Sequence, residues 1–263
     1  MFCFMRFFNP LCHVDTGGFI YKDHDFMNAI FLEKLIRYRS EFDIQVAREL
    51  IKNKINFQFG SINKSTVIPK YCENLKRTDS IQGILLIEAR AAKEYWKFFG
   101  KLVKDDSFRR KPHSSSVANI LLDIGYHYLA GEVLKICQGQ NIPTELGFLH
   151  RAQSSHAHPL IYDFMEWLRP VVVDKSVLKM LRQKKKVPTF IKKKDIGRLV
   201  NDIKKRFDKL YFYNSFGYCI SLRYWTCLMF LNFESAVNTE IEFKPKLPSL
   251  RHETRCKNKT AKH

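Results

Sequence analysis

From residue 26 onward apolar side chains return every three to four positions, and no series of segments alternates apolar with polar residues. That period puts them on one face of a helix, so the chain is expected to bury helix against helix and to be mostly α. The most telling segment is Ser80 to Gly100 (SIQGILLIEARAAKEYWKFFG). Here Ile81, Ile84, Leu85, Ala91, Ala92 and Tyr95 form one stripe, with Glu88 in its middle. Burying an ionised carboxylate without a partner costs several kcal/mol, so a cation, a hydrogen-bond network or a metal meets Glu88, or its proton stays on.

The flanking segments can be placed in the same way. Phe26 to Tyr38 reads as one helix, and Ser40-Glu41-Phe42-Asp43 has the pattern of a capping box opening a second, in which Phe42, Val46, Leu50 and Ile51 repeat at helical spacing. Lys101 to Ser115 is a polar loop containing Pro112, and Ser116 is placed to cap a helix from Val117 to Gln138. Pro143 and Gly147 mark a loop that ends at His150. A Ser- and His-containing stretch follows as far as Pro159, which is suited to the first turn of a helix carrying Asp163 and Glu166. Pro170 is expected to stop that helix.

Asp163 and Glu166 are three residues apart and so share a helical face. With Glu88 and His150 they form a set of oxygen and nitrogen donors that one metal could gather. Each has a plainer reading taken singly: an ion-paired core Glu with Arg90 or Lys93 nearby, a hydrogen-bonded turn His, and a solvated acidic helix face. Arg169, beside Pro170, is suited to anchor either a carboxylate or a phosphate.

Charge narrows the partner. Lys and Arg number 45 against 26 Asp and Glu, a formal net charge of +19. Such a field favours a polyanion. Residues 175 to 210 alone hold fourteen Lys or Arg against three Asp, including the triplets Lys184, Lys185, Lys186 and Lys192, Lys193, Lys194. Beyond them Ile196, Leu199, Val200, Ile203, Phe207 and Leu210 trace an apolar helical stripe. The seven cysteines form no CxxC pair, which argues against a zinc ribbon or a disulfide framework, and no apolar run is long enough to span a bilayer. A cytoplasmic protein is expected.

Four motifs in order, IEARAAKEYW, NILLDIGYHYL, GFLHR and YDFMEWLRPVVVDKSVLKML, resemble the α-helical domain of the CRISPR-associated integrase Cas1, and the earlier VARELIKNKINFQ is similar to that family's first helices. The resemblance runs from about Phe26 to about Tyr211. It implies a helical catalytic domain over residues 26–211. Family members open with a β-rich domain, so here that domain is expected to be truncated or absent, with 1–25 an irregular remnant and 212–263 an aromatic and basic C-terminal extension.

The implied function is a metal-dependent DNA endonuclease and integrase of CRISPR adaptation, which inserts foreign DNA into the array by phosphodiester transesterification. The implied cofactor is Mg²⁺ or Mn²⁺. Double-stranded or branched DNA and Cas2 are the implied partners, together with a second copy of the chain where the N-terminal domain is present. The family's metal triad maps onto Glu88, His150 and Glu166, with Asp163, Asn119 and Tyr126 in support. Arg90 and the two lysine triplets are expected to face DNA. Asp123 stands where the family often has Asn. The alternative is a catalytically inactive, truncated relative acting only as a basic nucleic-acid-binding helical protein.

Overall fold

Eight α-helices and one short hairpin make up the computed structural model, which describes residues 20–150, 158–183, 190–213 and 218–245. Helix α1, Ile20–Ser61, is 42 residues long, about 63 Å at the usual rise. The two helices expected on either side of Ser40 are one. Its hydroxyl donates back to the Arg37 carbonyl at 2.6 Å instead of capping a new start. The apolar pattern runs through this point unbroken, with Leu35, Tyr38, Val46 and Leu50 all buried.

Helix α1 serves two cores. Ala47, Ile51, Ile55 and Phe59 close a smaller cluster with α2 (Ile68–Lys76) and α3 (Ile81–Leu102). Leu35, Tyr38, Leu50 and Phe57 join the larger one. Ser80 caps α3, its hydroxyl accepting from Gly83 N at 3.1 Å. The buried stripe of α3 is Ile84, Ile87, Ala91, Tyr95 and Phe99. Leu85, expected on that stripe, is instead exposed beside Leu86, because Ile87 is the residue turned inward.

The larger core is built from α4 (Val117–Gly139), α5 (Pro159–Met165), α6 (Lys175–Arg182) and α7 (Lys193–Phe207). Pro170 does not end the helical path. It lies in the first turn of a π-helical stretch, Arg169–Asp174, that leads straight into α6. A wider turn absorbs the missing N–H that would break an α-helix. Gly125 on α4 lets this stretch come close, since a Cβ there would collide with Val173.

After α7 the chain forms an antiparallel hairpin, β1 (Leu210–Tyr213) and β2 (Tyr218–Ser221), with Leu210 opposite Ser221 and Tyr213 opposite Tyr218. Helix α8 (Leu222–Thr239) follows. Its Phe230 stacks on Phe164 at 4.5 Å and its Phe233 meets the same ring at 5.2 Å. The core therefore continues past residue 211. Phe243 N donates to the Tyr38 hydroxyl at 2.8 Å and extends the packing further. Among the described residues no helix is long and apolar enough to cross a membrane. The expected N-terminal remnant falls mostly outside the described residues, as does the basic end of the chain.

Candidate active site

Two carboxylates from separate helical segments meet on one ammonium. Lys54 of α1 places Nζ 2.7 Å from Glu88 Oε1 on α3 and 2.6 Å from Glu166 Oε2 in the turn after α5. Arg169 Nη1 takes the other Glu166 oxygen at 2.6 Å. Burial alone would push the Glu166 carboxyl up. The charges of Arg169, Lys54 and the His150 ring outweigh it and hold the carboxyl down at about 2. For Lys54 burial works toward loss of the proton, and Glu166 and Glu88 more than reverse it. The partner of Glu88 is thus a cation 34 residues away, not Arg90 or Lys93 beside it.

His150 is held by Asp163. The Asp163 side chain is fully buried and accepts from the backbone N–H groups of Phe148, Leu149 and His150, the last two at 3.1 Å each. Its Oδ1 also lies 2.6 Å from His150 Nδ1. Four contacts to one carboxylate fix both the turn and the ring, and they hold Nδ1 against Asp163, so that Nε2 is the ring nitrogen it does not engage. Gly147 makes the approach possible, since a Cβ would sit 2.8 Å from Asp163 Oδ2 and 2.7 Å from the His150 carbonyl.

A third buried carboxylate, Asp174, lies at the end of the π-helical stretch. Tyr126 donates to its Oδ1 at 2.6 Å and Tyr95 to its Oδ2 at 2.9 Å. Burial dominates and lifts Asp174 to about 6, although both hydroxyls and the more distant Arg169 and Arg110 pull the other way. Burial, followed by the charge of Asp174, pushes both tyrosines well above their ordinary value. The Tyr126 ring carries Arg169 at 5.0 Å and Arg110 at 5.4 Å from its centroid. Asn119 and Asp123 pin the loop that bears Arg110. Asn119 Oδ1 accepts from Arg110 Nη1 and Lys111 N at 3.0 Å each, and Asp123 Oδ2 accepts from His113 N at 2.9 Å.

Lys54, Glu88, His150, Arg110, Tyr126, Arg169 and Asp174 line one pocket of about 360 Å³. Glu88 and Glu166 are brought together, and His150 faces the same pocket. Among the described residues, however, no three His, Cys, Asp or Glu side chains are gathered as a metal ion would require. The donor chemistry still suits a hard divalent ion, with two carboxylates that already share a cation and an imidazole oriented by a carboxylate.

Tyr126 lines the pocket, Asn119 holds the loop that bears Arg110, and Arg169 anchors a carboxylate. Lys192, Lys193 and Lys194 are exposed at the start of α7, and Arg90 is exposed on α3. Lys184, Lys185 and Lys186 lie outside the described residues. Sequence reasoning passed over Lys54, Arg110 and Asp174, and gave Tyr95 a place on the apolar stripe but none in the site. Lys54 carried a signal, because it follows Val46 and Leu50 at four-residue steps on a buried stripe, the same anomaly that drew attention to Glu88.

The family model of CRISPR associated protein Cas1 matches residues 28–212. The chain belongs to the Cas1 family. The CRISPR-associated endonuclease Cas1 1 of Francisella tularensis subsp. novicida (strain U112) is 30% identical over 168 residues, which is 62% of this chain and 51% of that protein. This Cas1-family chain thus spans about half the length of that curated relative. A casposase bound to integration product superposes with a TM-score of 0.70 at 22% identity, covering 84% of this chain and 73% of that one. A Cas6-RT-Cas1–Cas2 complex gives a TM-score of 0.64 at 17% identity, over 79% of this chain and 25% of that one. The structural likenesses establish the helical Cas1 fold.

Proposed function

We propose that this Cas1-family chain is a divalent-metal-dependent DNA endonuclease and integrase of CRISPR adaptation, with DNA and Cas2 as partners. The observation that carries the reading is the convergence of Glu88 and Glu166 on one cation, beside a His150 ring locked by Asp163. Support for the partners comes from the likeness to a casposase holding an integration product and to a chain assembled with Cas2.

Glu88, Glu166 and His150 Nε2 would hold Mn²⁺ or Mg²⁺. When bound, that ion supplies Lewis acidity at the scissile phosphate and orients the attacking 3′-hydroxyl or water. Asp163 keeps the His150 ring turned toward the pocket. Arg110 and Arg169, stacked on Tyr126, offer positive charge where the phosphate enters. The exposed Lys192, Lys193 and Lys194 would hold the DNA backbone through counterion release, so binding should weaken steeply as salt rises.

The position of Lys54 favours a second reading, a basic DNA-binding relative without catalysis, because its ammonium already satisfies both carboxylates. Labelled DNA incubated with Mn²⁺ or with a chelator separates the two. The first reading expects chelator-sensitive cutting, lost in Glu88→Ala, His150→Ala and Glu166→Ala while salt-dependent binding persists. Cleavage retained in all three variants would remove the site assignment.

A further inference from the structure

We propose that Lys54 is a resident counter-ion which a divalent cation must displace from between Glu88 and Glu166; the inference rests on the metal-dependent reading above. The ammonium stands 2.7 Å from one carboxylate and 2.6 Å from the other, with only 12% of the lysine side chain and 4% of the Glu166 side chain exposed. A hard divalent ion needs oxygens at about 2.0–2.6 Å, so an ion bound by the same two oxygens would overlap the position of Nζ.

Charge leads to the same conclusion. Two carboxylates are balanced here by Lys54 and Arg169. Adding two further positive charges without moving either cation would leave an uncompensated excess in a poorly solvated site. Of the two cations Lys54 is the one free to leave. Arg169 is fixed on Glu166 Oε1 and stacked on Tyr126. Lys54 has a flexible four-carbon stem and lines the open pocket, so its ammonium can swing into that space without backbone movement. A phosphate oxygen entering the same pocket would then be its new partner. Lys54 would thus keep the resting chain poorly loaded with metal and favour loading when DNA arrives.

Mn²⁺ titrated calorimetrically into the full chain without DNA tests this against Lys54→Met, which keeps the stem and removes the charge. The variant is expected to bind Mn²⁺ at least about tenfold more tightly, to melt below the wild type in chelator, and to gain more from the metal. Amine labelling of Lys54 in the wild-type protein, read by mass spectrometry, is expected to rise several-fold when Mn²⁺ is added, and needs no variant. Equal or weaker Mn²⁺ binding by the variant, or labelling unchanged with Mn²⁺ bound, overturns the role of Lys54 and leaves the metal reading standing. Failure of both proteins to bind Mn²⁺ overturns both.

Discussion

Glu166 and Asp174 lie on one helical path, both buried, and they hold their protons in opposite ways. Glu166 is pulled down to about 2 and Asp174 is lifted to about 6. Burial raises both, so the difference lies in the company each keeps. Glu166 touches two full positive charges, Lys54 and Arg169. Asp174 touches two neutral hydroxyls, of Tyr95 and Tyr126, with its arginines beyond the tyrosine ring. Neutral donors offset only part of the cost of burying a charge, whereas adjacent cations reverse it. One end of the path thus keeps its carboxylate anionic beside two cations, and the other keeps its proton to higher pH than an exposed aspartate would.

The most damaging way to break this contrast is Glu166→Ala, which strands Lys54 and Arg169 in a buried site. Removing one partner of such a pair costs about 3–5 kcal/mol, to be read by urea denaturation in metal-free buffer. A loss no larger than that of Asp174→Asn would show that the two carboxylates do not differ as described.

The pH dependence of stability sharpens the same contrast. For Asp174 the folded value is raised, so its contribution is present below about pH 4 and lost as pH rises through about 6, a change on the order of 3 kcal/mol. For Glu166 the folded value is depressed, so its contribution is present above about pH 4.5 and lost as pH falls toward about 2. Asp174→Asn is expected to flatten the decline between about pH 4 and 6, and Glu166→Gln the decline on the acid side. Denaturation series across pH on the two variants would expose an exchange of these roles.

Asp163 adds a third case, a carboxylate satisfied largely by backbone N–H groups. Gly147→Ala would press on its Oδ2 and on the His150 carbonyl. A loss of about 1–3 kcal/mol is expected, with the His150 ring resonances shifted in NMR spectra. The smallest effect is expected of Tyr95→Phe, which removes one donor to Asp174 at a cost of about 1 kcal/mol and moves the Asp174 midpoint further up. A midpoint that moved down would contradict the assignment.

The helical class was legible because 3.6-residue spacing persists through α3, α4 and α7, and Glu88 stood out because a carboxylate on an apolar stripe is costly wherever it lies. His150 and Glu166 were open to a metal role from their residue types alone, and only the family motifs raised that role above the plainer readings, since a turn histidine and a helix-face acid are common in themselves. Ser40 misled, because a capping pattern competes with an apolar stripe and burial of Tyr38 and Val46 outweighed it. Pro170 misled in a similar way, as packing of Val171, Val172 and Val173 keeps the backbone helical and the turn widens instead.

Local spacing by itself determined the buried helical faces, Leu85 and Ile87 excepted, and that Glu88 required a partner, since period and the penalty for burying charge are properties of the chain. The tertiary structure decided that the partner is Lys54, that one ammonium serves two carboxylates, and that Asp174 and Glu166 titrate apart. Those outcomes depend on groups distant in sequence meeting within about 3 Å, a range set by the packing of α1 against α3 and against the path from α5 to α6.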